Sequence, residues 1–162
     1  MADGVEFSLT GLEDLLAKFE SVSHDVKHKG GRFALRKAAQ LVRDAAKANA
    51  QELDDPQTAA NISKNVAERW SGKRFKSTGD LMFRVGVMGG AGGNKPESAF
   101  DGFPGKDTRH WRYLEFGTER QPAQPFLRKA LEDNINNATN EFVSQYEKAL
   151  DRAIKRAKKT GK

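Results

Sequence analysis

Three patterns in this chain combine residue types and spacings that could do chemistry: a pair of histidines, a glycine run, and a stretch of cations interleaved with aromatics. His24-Asp25-Val26-Lys27-His28 places two imidazoles at i and i+4, the spacing with which zinc-protease helices hold a metal. Asp stands where that motif carries Glu, so its carboxylate is one methylene shorter. Gly30-Gly31 follows at once and is expected to break the supporting helix, and the only other histidine is His110. Two surface histidines at a helix end, with no metal, are the expectation. Gly89-Gly90-Ala91-Gly92-Gly93 has the composition of a phosphate cradle, but Pro96 and Phe100-Asp101-Gly102 follow it where a helix N-terminus would be needed. Gly105-Lys106-Asp107-Thr108 departs from a P-loop twice, with Phe100 at the first glycine position and Asp107 at the Ser/Thr position. No G-x-S-x-G elbow is present. The chain has no cysteine, which removes thiolate nucleophiles, thiolate metal sites and disulfides. No catalytic residue, metal or cofactor is expected, and the chain reads as a non-enzyme.

Arg69-Trp70-Ser71-Gly72-Lys73-Arg74-Phe75-Lys76 could contact phosphate through Arg69, Lys73, Arg74 and Lys76 while its aromatics stack on bases. The alternative is a hairpin tip with solvated charge and aromatics anchored in the core. A second basic element lies at residues 148–162, where seven cations stand against one acid, the whole net charge of +6. With 28 cations and 22 acids in the chain, the remaining body balances 21 against 21 and is neutral. Arg152, Lys155, Arg156, Lys158 and Lys159 are therefore candidates for contact with DNA or an acidic partner. Cations also favour a helix C-terminus through its dipole, and that reading stays open.

The elements that would position these groups follow from hydrophobic period. Val5, Phe7 and Leu9 alternate as a short strand. Thr10-Gly11-Leu12-Glu13 is a capping box opening a short helix through Leu15, Leu16 and Phe19. Ala34, Ala38, Leu41, Val42, Ala45 and Ala48 give an amphipathic helix whose alanine-rich stripe invites close packing. Asp54-Asp55-Pro56 is expected to end it and cap a short helical piece. Residues 66–88 read as a β-hairpin with Leu81, Phe83, Val85 and Val87 on one face and a long basic connection. Residues 89–108 hold six of the fifteen glycines and read as a flexible loop, with Phe100 and Phe103 as anchors awaiting a partner surface. The segment His110–Thr118 fits strand or helix equally. From Pro125 onward, Leu127, Leu131, Ile135, Ala138, Phe142, Tyr146, Ala149, Ala153 and Ala157 keep helical spacing, a helix too long for a compact domain to cover. No run approaches the ~18 apolar residues of a membrane span, and the opening residues lack the pattern of a signal peptide, so a soluble protein without a leader is expected.

Trp111-Arg112-Tyr113-Leu114-Glu115-Phe116-Gly117-Thr118, followed by Gln121-Pro122-Ala123-Gln124-Pro125-Phe126-Leu127-Arg128, resembles the signature of a siphophage tail-component family: an aromatic cluster, E-F-G-T, a short basic spacer and P-A-x-P-F-L before a helix. The opening V-E-F-S-L-T-G-L-E-D-L-L and the stretch from Thr78-Gly79-Asp80-Leu81 to Val85-Gly86-Val87 are similar to the same family's first and middle parts. The resemblance implies a neck protein that caps the tail tube and helps join it to the filled head. It carries no catalytic residues. It implies structural roles: Gly117 allowing a tight turn, Glu115 and Thr118 bonding locally or across a subunit boundary, and Phe126 and Leu127 anchoring the long helix.

Together these readings give one α+β domain over residues 1–162, a small antiparallel sheet packed by two long helices and a short N-terminal one. The expected function is a virion tail-completion subunit, assembled in the host cytoplasm. It forms a ring of its own copies, six to match the tube, against the tail tube or tail terminator and the head–tail connector or stopper. Genomic DNA passing through could touch its cations, and no membrane is involved. Trp111, Tyr113, Glu115, Phe116, Gly117, Thr118, Pro125, Phe126 and Leu127 are the expected subunit contact. A tail terminator of the same region and a non-specific DNA-binding protein are the alternatives.

Overall fold

In the computed structural model, residues 24–54, 57, 60–89 and 95–160 are described. The strand expected at 5–9, the helix expected from Leu12 to Phe19 and the Asp55-Pro56 cap lie outside them. The architecture is α+β. A π-helical turn, Asp25–Gly30, runs without interruption into α1, Gly31–Leu53. The break expected at Gly30-Gly31 is therefore corrected: both glycines take helical dihedrals. Packing accounts for Gly31, since a Cβ there would lie 2.8 Å from Leu81 Cδ1.

Asp54 ends α1, and its carboxylate accepts from the backbone N–H groups of Ile62 and Ser63 at 2.7 and 3.1 Å. Those amides open the short helix α2, Ile62–Asn65, which Asn61 caps through the N–H of Lys64. The chain then forms β1, Val66–Trp70, and returns as the antiparallel strand β2, Phe83–Val87, with Val66 opposite Val87 and Trp70 opposite Phe83. The basic connection between them is a helix, α3, Gly72–Thr78, closed by Gly79 in the left-handed conformation at φ 76°. A 3₁₀ turn at Glu97–Phe100 precedes α4, Trp111–Phe116, so the ambiguous aromatic segment is helical. The chain continues into α5, Leu127–Thr160, whose 34 residues span about 51 Å.

The core is the antiparallel pair of α1 and α5. Ala34, Ala38, Val42, Ala46 and Ala50 are buried at strict four-residue spacing along α1. Ala46 and Ala50 meet Phe126 and Ala130 at one end, and Ala38 and Val42 meet Ala138 further along. Val26 and Gly30 lie beside Ala149 and Ala153 at the other end. Alanine on both helices lets the backbones approach closely, as the stripe in the sequence implied. The spacing corrects that stripe in detail: Leu41 and Ala48 are exposed, because packing follows the four-residue ridge. The hairpin lies on the flank of α1, where Glu68 of β1 meets Arg43 and Gln40.

Residues 95–108 are tied to the body. Phe100, expected to await a partner, is buried within the chain with its ring against Phe103 and under the Arg109 guanidinium. Asn65 is fully buried and donates to the Lys106 carbonyl and the Thr108 hydroxyl while accepting from Gly105 N–H, at 2.8–2.9 Å. Gly105 passes so close to α2 that a Cβ would overlap the Asn61 carbonyl oxygen.

Candidate functional site

The corner between α4 and α5 carries nine of the residues singled out in the sequence. α4 is a short helix, and Trp111 and Leu114 turn inward against Phe126 and Ala130. Glu115 is 1% exposed. Its carboxylate accepts from the backbone N–H groups of Phe126, Leu127 and Arg128 at 2.8, 2.9 and 3.1 Å, and from Arg128 Nε at 3.1 Å. Arg128 also donates to the Glu115 carbonyl oxygen. A negative group thus sits on the unpaired amides that open a 34-residue helix, where the helix dipole favours it. Gly117 makes the turn that allows this, at φ 76° and with its α-carbon so close to the following segment that a Cβ would lie 2.8 Å from Ala123 N. Thr118 Oγ1 accepts from the N–H groups of Arg120 and Gln121, and Gln124 N–H donates to the Leu114 carbonyl, so the loop is held at both ends.

This geometry divides the candidate contact residues. Glu115 and Phe126, each 1% exposed, are interior to a single chain. Their assignment as contact residues is corrected: Glu115 caps α5 and Phe126 fills the core beneath it. Trp111, Gly117, Pro125 and Leu127 are half-buried, and Thr118 is exposed. Tyr113 and Phe116 stand outward, 60% and 64% exposed, with the Arg128 guanidinium 5.3 Å over the Phe116 ring. The buried members aim the exposed ones. An open apolar cleft of about 410 Å³ lies alongside, between α1, β2 and the first turns of α5, lined by Leu35, Ala39, Phe83 and Leu131 among others.

The basic candidates lie elsewhere. Arg69, Lys73, Arg74 and Lys76 are all exposed at the far end of the hairpin. Arg74 pairs with Asp80 at 3.2 Å, and the Arg74 hydrogen bond, after that of Thr78, lowers the Asp80 pKa. The interleaved aromatics face the body: Trp70 meets Phe75 and Phe83, and Arg32 stacks 4.4 Å over Trp70. Both Trp70 and Phe75 are half-buried by these contacts. Arg152, Lys155, Arg156, Lys158 and Lys159 are exposed on the last turns of α5. His24 and His28 sit with ring centroids 4.4 Å apart, and His28 packs edge-on against Phe75. Among the described residues, no three His, Cys, Asp or Glu side chains gather as metal ligands, and no helix is long and apolar enough to cross a membrane.

Two ion pairs brace the scaffold. Burial works against charge on Glu68, but hydrogen bonds led by that of Arg43 hold its carboxyl below the usual range. Arg109, bonded to Asp107 through both carboxylate oxygens, lowers the Asp107 pKa in the same way. Sequence reasoning missed Asn65, Glu68 and Gly105. Nothing in their sequence neighbourhoods, Lys64-Asn65-Val66, Ala67-Glu68-Arg69 and Pro104-Gly105-Lys106, marks a buried contact.

The family model for bacteriophage HK97-gp10-like tail components matches residues 13–117, close to two thirds of the chain. The chain belongs to this family. The match in this tail component takes in α1, the hairpin and α4, and it ends at Gly117, so P-A-Q-P-F-L and α5 lie past it. Neither the curated proteins nor the solved structures yield a match. As a tail component the protein is a part of the virion, and its family is one of structural tail proteins.

Proposed function

We propose that this tail component is a tail-completion subunit of the neck, without catalytic activity. Its copies form a ring, six to match the tube, at the head-proximal end of the tail and help join it to the filled head. The observation that carries the reading is the α4–α5 corner. A buried carboxylate, two proline positions and a positive-φ glycine fix a backbone that presents two large aromatics to solvent. Rigid, exposed aromatics supply contact area at low entropy cost, and such residues commonly dominate interface energy. Tyr113, Phe116 and the half-buried Trp111, Pro125 and Leu127 are the contact surface, against a neighbouring copy, the tail tube or terminator, or the connector or stopper. Electron microscopy of particles from a phage lacking the protein tests this: filled heads and finished tails should accumulate unjoined. Normal joined virions would overturn it. A tail terminator would instead give tails of uncontrolled length.

Non-specific contact with genomic DNA is a second reading, favoured by the exposed cations of α3 and of the last turns of α5. Such contact would be phosphate-directed and strongly salt-dependent. A DNA mobility shift that disappears as salt rises, shown by protein that forms no ring, would favour it over assembly.

A further inference from the structure

The two faces of the β1–β2 hairpin are unalike. On the inner face, Val66, Val85 and Val87 pack into the core, Glu68 meets α1, and Trp70 meets Phe83. The outer face takes the alternate residues. There the register sets Ala67 opposite Gly86 and Arg69 opposite Arg84. Nothing among the described residues covers this side. A Cβ on Gly86 would have no neighbour within 4 Å, and these four residues line an open cleft of about 360 Å³ that Met88 and Gly89 border.

Arg69 and Arg84 are both exposed. Side chains directly opposite in an antiparallel pair stand about 5 Å apart at Cβ, and like charges there repel. No acid of the hairpin relieves them. Residues 66–88 hold five cations and two acids. Glu68 is taken by Arg43 on the inner side, and Asp80 by Arg74. Neither Arg69 nor Arg84 has an ion pair among the described residues. Two unneutralised guanidinium groups thus stand over a floor of one methyl group and one glycine, with room above them for an oxyanion. Their planar forks match a phosphate group.

We propose that this outer face binds the phosphodiester backbone of DNA, with Arg69 and Arg84 sharing one phosphate. The composition of the face favours that occupant. Between Met82 and Met88 it presents no apolar side chain larger than a methyl group, whereas a protein contact has an apolar centre. Contacts with DNA are polar and positively charged. Lys73 and Lys76 of α3 add two exposed cations at the same end of the hairpin. The site rests on the DNA contact given above as a second reading, and it adds a residue outside the basic run of the sequence. Strand pairing alone brings Arg84 to Arg69.

Binding of the full chain to a short DNA duplex, followed by fluorescence anisotropy from low to physiological salt, tests the site. Poly-glutamate serves beside it as the probe for an acidic protein surface. Arg69→Ala and Arg84→Ala should each reduce the log–log salt slope by about 1, and together by about 2. Each should weaken binding about tenfold at low salt. Lys129→Ala, an equal loss of charge at the start of α5, should leave the slope where it was. Gly86→Glu places a carboxylate beside the two arginines without a clash, and it should weaken binding as far as the double variant does. Gly86→Gln, of equal size, should not. Circular dichroism checks that each variant folds. An unchanged slope in the double variant overturns the site. If truncation after Ile154 then abolishes binding, DNA contact stands but lies on α5. No salt-dependent binding by the parent protein overturns both. Poly-glutamate held as tightly as the duplex, and lost with the same two arginines, overturns the site in favour of an acidic protein. None of these outcomes bears on the ring, which unjoined heads and tails test.

Discussion

Glu115 shows how a residue that looks functional can be structural without losing its functional consequence. Its buried carboxylate accepts from three consecutive amides at the start of α5, of which that of Phe126 is buried with it. Glu115→Ala should lower stability by about 2–4 kcal/mol, through loss of the cap and of partners for buried donors. Glu115→Gln should recover part of that, since the amide oxygen still accepts. Thermal unfolding of the two variants checks the order. If both melt like the parent protein and only joining suffers, Glu115 acts outside the fold. Gly105 is a second such position. Adding one methyl places it on the Asn61 carbonyl and against Asn65, so Gly105→Ala should cost roughly 1–3 kcal/mol. It should also free residues 95–108 to protease.

At the scale of elements, the sequence was legible where period and packing agree. The alanine stripe of α1, the antiparallel hairpin and the long α5 follow from spacing alone. Three features were not legible, each because a long-range contact decided it. Gly30-Gly31 stays helical where the helix packs, with Gly30 beside Ala149 and Ala153 and Gly31 close under Leu81. Residues 95–108, read from the sequence as part of a flexible loop, are pinned by Asn65, 40 residues or more distant. The aromatics among the cations near residue 72 turn inward because Trp70 pairs across the sheet with Phe83. The joint between the hairpin and α1 also titrates. The Glu68 carboxyl is held below its ordinary value of 4.5, so the unfolded chain binds its proton more readily than the folded one. Its stabilisation is therefore complete above pH 4.5 and is lost as pH falls through the lower folded value. Glu68→Gln should cost about 1–2 kcal/mol at neutral pH. Its stability should then decline less steeply with acid than that of the parent, as read from urea midpoints across the acid range.

For the whole molecule, the division of charge decides what the last turns of α5 are for. Ala149 and Ala153 are buried against the π-helical turn, so the helix belongs to the core as far as residue 153. This moves the boundary of the dispensable segment, because a cut after Leu150 would remove Ala153 and expose Val26. Residues 154–159 are exposed, and cations crowd most sides of the helix there. Like charges one turn apart repel and would fray that end in isolation. A truncation after Ile154 therefore keeps every buried contact of α5 and removes Lys155, Arg156, Lys158, Lys159 and Lys162. It should melt within about 0.5 kcal/mol of the full chain, as expected for changes confined to the surface. The same truncation should give fewer joined particles, with a deficit that grows at low ionic strength, where the intact tail acts over the longest range. Joining at full yield across salt would reduce the segment to a solvated helix end. A large drop in melting temperature would instead place the core's boundary beyond residue 154.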